Sequence, residues 1–146
     1  MGIRRTLFTL GLVGILTAGA PNAGNAFFNK DCSNLKKRVA SSQVRYEKAW
    51  NVYQQVLANW INSRPKGSEM WATSAPVMNR FKQVGNIQVE IIDDLIKYPK
   101  CLRSGAAGSW TIEKQNLTKL MNKVDYMSLY FSNYFSTVFD YRKTLK

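Results

Sequence analysis

The chain has 146 residues, of which 21 are Lys or Arg and 9 are Asp or Glu, giving a net charge of +12 with no histidine at all. The missing histidine removes the commonest general base, the commonest zinc ligand and the usual haem ligand together, while the positive charge points to anionic partners. The length suits one domain and is short for two.

Residues 1–26 read as a secretory signal peptide. Arg4 and Arg5 form a basic n-region, residues 7–19 form an apolar run too short to span a bilayer, and Gly24-Asn25-Ala26 places small residues at the −3 and −1 positions of a cleavage site. A cut after Ala20 would leave Pro21 as the next residue, which cleavage tolerates poorly, so the mature domain is expected at 27–146. Twin-arginine export, suggested by Arg4-Arg5, and an uncleaved signal anchor are the alternatives. Cleavage near Ala26 predicts a secreted, periplasmic or envelope-associated protein. Losing Arg4 and Arg5 with the leader takes the 21 basic residues to 19 against 9 acidic ones, a net charge of +10.

The first helix is predicted at about 31–62. Leu35, Val39, Ser42, Tyr46, Ala49, Tyr53, Val56 and Trp60 recur four and three apart, a seam with coiled-coil spacing that Trp50, Leu57 and Ile61 widen. Asn29 or Asp31 is placed to cap it, and Arg64-Pro65-Lys66-Gly67 ends it, because proline removes a donor and glycine lets the chain reverse. Met70 and Trp71 then fall on a short connection, with Trp71 expected to lid the core.

A second helix is predicted at about 75–98, with Thr73 or Ser74 as cap, Pro76 in its first turn and Val77, Phe81, Val84, Ile91, Leu95 and Tyr98 on its apolar face. Pro99 stops it, and Gly105-Ala106-Ala107-Gly108-Ser109 is a turn of small residues. A third helix is predicted at about 110–145, since Leu117, Leu120, Val124, Met127, Phe131, Tyr134, Val138, Tyr141 and Leu145 continue the three-and-four spacing. Its stretch from Tyr126 to Tyr141 holds seven aromatics, and no charge falls between Asp125 and Asp140. Tyr126, Tyr130, Phe131, Tyr134, Phe135 and Phe139 spread over an arc of roughly 220°, which calls for two covering helices.

These elements predict an all-α fold: an antiparallel up-down-up three-helix bundle with long helices, stapled by one disulfide. Cys32 opens the first helix and Cys101 follows the second, so an antiparallel hairpin brings them to the same end. An exported chain meets an oxidising compartment, and no histidine or further cysteine stands by to complete a metal shell.

The chemistry expected on this frame is binding. Lys36, Lys37 and Arg38 sit where a helix amino end disfavours positive charge, and the hairpin places Lys97, Lys100 and Arg103 at the same pole. The ligand class that fits is an anionic envelope polymer or a membrane surface; nucleic acid has charge in its favour but no motif. Glu90, Asp93 and Asp94 form an acidic cluster better read as a solvated face than as a metal site, because helical carboxylates without loop oxygens make a poor cation cage. No cofactor, metal or catalytic residue is expected, and the protein is read as a non-enzyme. A second reading uses the aromatic third helix: Tyr126, Tyr130, Phe135 and Phe139 as a hydrophobic contact stripe for a protein partner, a second copy or a membrane, the last as a membrane-active or pore-forming protein. Asn116-Leu117-Thr118 matches the N-glycosylation sequon, which matters only in a eukaryotic host.

Overall fold

The structure is a computed structural model that describes residues 26–131 and 139–146. Residues 1–25, most of the expected leader, and Phe135 lie outside the described residues. The described chain is helical, with three long helices. Helix α1 covers Ala26–Asn62 and α2 covers Ser68–Ile96. Cys32 meets Cys101, Arg38 meets Asp94, Arg45 meets Glu90, Tyr46 meets Gln88, Tyr53 meets Phe81 and Trp60 meets Thr73. Partner numbers fall along α2 as they rise along α1, so the pair runs antiparallel. The predicted seams are what they bury: Leu35, Val39, Tyr46, Tyr53 and Trp60 from one helix, Val77, Phe81, Val84, Ile91 and Leu95 from the other.

Cys32 and Cys101 stand at disulfide distance, with Cα atoms 5.3 Å apart. A short 3-10 turn, Pro99–Cys101, leads into Gly105, whose φ of 78° suits glycine and starts α3 (Ala106–Lys123). Helix α3 lies along α2. Lys114 binds Asp93, and Met121 fills the space that a Cβ on Gly85 would occupy.

The boundaries depart from expectation in three places, each for a local reason. Helix α1 is already formed at Ala26, so Asn29 and Asp31 lie inside it and do not cap it. Helix α2 begins at Ser68, seven residues before the predicted start: Gly67 turns at φ 57°, and the Glu69 and Met70 amides bond back to Lys66 and Gly67. Thr73 and Ser74 are therefore inside the helix, their hydroxyls donating to the Glu69 and Trp71 carbonyls. Pro76 is interior rather than in the first turn, at an exposed position of the helix.

The third departure is the largest: no continuous helix spans 110–145. Helix α3 stops at Lys123, Val124 is extended at ψ 129°, and a new short helix α4 covers Tyr126–Phe131. Asp125 makes the break favourable because its Oδ1 accepts the Ser128 amide at 2.8 Å, capping α4. Residues 139 and 140 are non-helical, and Tyr141–Thr144 forms a 3-10 turn.

That C-terminal segment returns along α1 to the disulfide end. Gln43 is buried in the core and must satisfy its amide there. Its Nε2 donates to the Phe139 carbonyl at 2.7 Å and its Oε1 accepts the Tyr141 amide at 3.1 Å. Further on, the Trp110 indole donates to Thr144 Oγ1, Leu102 forms an isolated antiparallel bridge with Leu145, and the Lys146 amide donates to the Cys101 carbonyl. Tyr141, lodged against Tyr46 and Trp110, and Leu145 are buried. The apolar spacing that suggests a helix continuing to Leu145 is thus satisfied by a segment that folds back.

Candidate functional site

The disulfide pole gathers the expected cations. Cys32 and Cys101 pin the ends of α1 and α2 together, which sets Lys36 and Lys37 one turn along from one cysteine and Lys97, Lys100 and Arg103 around the other. Lys36, Lys37, Lys97 and Lys100 are all exposed. The two arginines are partly committed to the fold. Arg38 lies 3.6 Å from Asp94 and stacks its guanidinium 5.4 Å from the centre of the Tyr98 ring. Arg103 donates its Nε to the Leu145 carbonyl and its amide to Thr144, holding the returning segment.

Two acids near this pole are engaged by cations, Asp94 by Arg38 and Asp93 by Lys114, while Asp31 beside Cys32 is exposed. Glu90, the third member of the acidic cluster, pairs with Arg45 at 3.2 Å. Each carboxylate of that cluster therefore has a cation of its own. No group of three His, Cys, Asp or Glu is placed to hold a metal ion among the described residues. Helix α1 also begins well before Lys36, so the dipole penalty anticipated for this basic run does not reach it; that effect fades within the first turn.

Sequence reasoning missed the contribution of the C-terminus. The Leu102–Leu145 bridge brings the exposed Lys146 beside Cys101, with Arg142 and Lys143 in the turn before it. Arg142 is itself bound to Asp140 at 2.8 Å. This hydrogen bond, with the Arg142 amide also donating to the same carboxylate, holds the Asp140 carboxyl below the usual range and raises the Arg142 guanidinium. The basic residues 142, 143 and 146 are visible in the sequence, but a continuous third helix puts them at the opposite end.

The proposed aromatic stripe is divided between several environments. Tyr126 stands edge-on to Trp71 with ring centres 5.8 Å apart, and Tyr130 edge-on to Trp60 at 5.7 Å. Phe139 is buried beside Tyr141, at the other end of the returning segment. Trp71 itself does not lid the core: it is 63% exposed, while Trp50, Trp60 and Trp110 are buried. Among the described residues, no helix is long and apolar enough to cross a membrane.

No protein family, curated protein or solved structure matches the chain.

Proposed function

We propose that this is an exported, non-enzymatic binding protein, an antiparallel up-down-up three-helix bundle whose disulfide pole holds the phosphate or carboxylate groups of an anionic envelope polymer or of lipid head groups. The observation that carries this reading is the charge arrangement at that pole. Lys36 and Lys37 on α1, Lys97 just past the end of α2 and Lys100 in the turn that follows are exposed, with Lys146 added by the returning segment, while the nearby Asp93 and Asp94 are engaged by Lys114 and Arg38. Clustered ammonium groups held on a rigid frame raise the local concentration of polyanions and release counterions on binding. Arg38 and Arg103 serve the site by fixing its frame as well as by charge.

The test is co-sedimentation of the oxidised protein with purified cell wall and with anionic and neutral vesicles over a salt series. Binding to an anionic surface that falls steeply as salt rises, and that drops about tenfold or more in the Lys36→Glu/Lys37→Glu variant, supports the reading. The wall and vesicle arms separate a polymer from a head group. Salt-resistant binding to both cell wall and vesicles, or binding to both that the charge reversal leaves unchanged, sinks it. The membrane-active alternative starts from a third helix that is broken at Val124, with Tyr126 and Tyr130 on α4 and Phe139 outside any helix.

A further inference from the structure

The pole opposite the disulfide has a different chemistry. It is built from the end of α1, the 63–67 connection, the start of α2 and helix α4, held together by the Trp60–Tyr130 ring contact and by the Trp60 indole donating to Thr73. Trp71, at 63% exposed, and Tyr126 edge-on to it join two elements in an apolar surface there, and Met127, next to Tyr126 in sequence, is 43% exposed. The cations Arg64 and Lys66 in the connection and Lys123 at the end of α3 are exposed beside these elements. The acids nearby are Glu69 and Asp125, the latter capping α4 and keeping its negative charge, against three cations.

We infer that this pole docks on the interface of an anionic lipid bilayer, independently of the cationic pole at the other end. A single exposed tryptophan is ordinary, but here an exposed Trp ring is backed by a Tyr from a second helix, with an exposed Met next in sequence and exposed cations on the adjoining elements. Trp and Tyr rings favour the boundary between head groups and hydrocarbon, where the ring is desolvated while its polar edge stays wet. Arg64, Lys66 and Lys123 match the phosphates that surround such a ring. A second copy of the chain fits less well: a two-fold contact through this patch would set each of those cations against the same set on its partner. Helix α1 has 37 residues, about 55 Å at 1.5 Å per residue. The two binding ends therefore lie far enough apart for the protein to stand on a lipid surface by one end and hold a polyanion with the other.

Trp71 makes the test selective, since the other three of the four tryptophans are buried. The protein in the form its host accumulates is mixed with vesicles of phosphatidylglycerol and phosphatidylcholine, and acrylamide quenching and emission wavelength are followed. The expected result is a blue shift, loss of acrylamide access to the exposed tryptophan, and quenching by lipids brominated near the head group. Trp71→Ser and Met127→Ser should each lower the vesicle-bound fraction, by about tenfold for the indole, with the circular dichroism unchanged. Lys36→Glu/Lys37→Glu should leave the shielding of Trp71 intact, which separates this site from the cationic pole. Continued acrylamide access to Trp71 on vesicle-bound protein overturns the inference, as does undiminished binding of Trp71→Ser. Shielding that grows with protein concentration in the absence of lipid overturns it in favour of self-association.

Discussion

Gln43 holds Tyr141 as a neighbouring strand would: its side-chain Oε1 accepts the Tyr141 amide at 3.1 Å while its Nε2 donates to the carbonyl of Phe139, two residues earlier, at 2.7 Å. One amide side chain on α1 thereby supplies both partners that a stretch of extended backbone needs when it enters a core. This pairing sets where the C-terminal segment crosses α1, and so brings Lys146 to the disulfide pole.

Replacing Gln43 by Ala should leave the Phe139 carbonyl and the Tyr141 amide without those partners in a buried site. At about 1–3 kcal/mol for a stranded group, the expected loss is about 2–3 kcal/mol. Thermal unfolding should show a midpoint lowered by about 5–15 °C. A change inside 0.5 kcal/mol would mean that this pairing contributes little to stability.

Gly85 lies mid-helix, where Ala would ordinarily be favoured by about 1 kcal/mol. Here the Met121 thioether occupies the place of the missing Cβ, with its Cγ also close. Gly85→Ala should therefore destabilise by about 1–3 kcal/mol through overpacking. Met121→Ala on that background should recover part of the loss, and a double-mutant cycle in denaturant would reveal the coupling. Additive effects would show that the two positions do not share that space.

The Cys32–Cys101 link spans a sequence separation of 69. Reduction should lower stability by about 4 kcal/mol at most on the chain-entropy argument. Denaturant titrations of the oxidised protein and of the Cys32→Ser/Cys101→Ser variant measure it, and identical midpoints would show that the link adds nothing to stability. The loss should also weaken anion binding, since the cysteines hold Lys36 and Lys100 at one end of the molecule.

Asp140 is hydrogen-bonded to the Arg142 side chain and amide, which keeps its folded-state carboxyl below the unfolded value. The stabilisation is therefore present above the ordinary aspartate range and is lost as pH falls through the depressed folded value. The Asp140 side chain is 29% exposed but its partner Arg142 is more than half exposed, so after screening the pair contributes about 1 kcal/mol or less. Wild type should exceed Asp140→Asn in stability at pH 6, and the difference should close toward pH 2. A difference that persists in acid would point to shape rather than charge.

Much of the helical frame was legible because its signals are local. The four-and-three spacing of Leu35, Val39, Tyr46, Tyr53 and Trp60 is a property of neighbouring residues on one helix, and those positions are buried in the structure. The ends of elements were less legible. Thr73, Ser74 and Pro76 carry the chemistry of a helix start, yet the hydroxyls bond backward within a helix that Gly67 has already opened. At the candidate site, the cations on α1 and around Cys101 could be placed from the cysteines alone, whereas Lys146 and the exposure of Trp71 could not.

The sequence by itself determined a basic, helical chain with two matched apolar seams and a cysteine at each end of the hairpin they make. The tertiary structure alone decided the path after Lys123. Apolar spacing reports that Tyr141 and Leu145 are to be buried, but not which surface covers them. That depends on partners about a hundred residues away at Gln43 and about forty away at Leu102, whose hydrogen bonds outweigh the continuation of a helix.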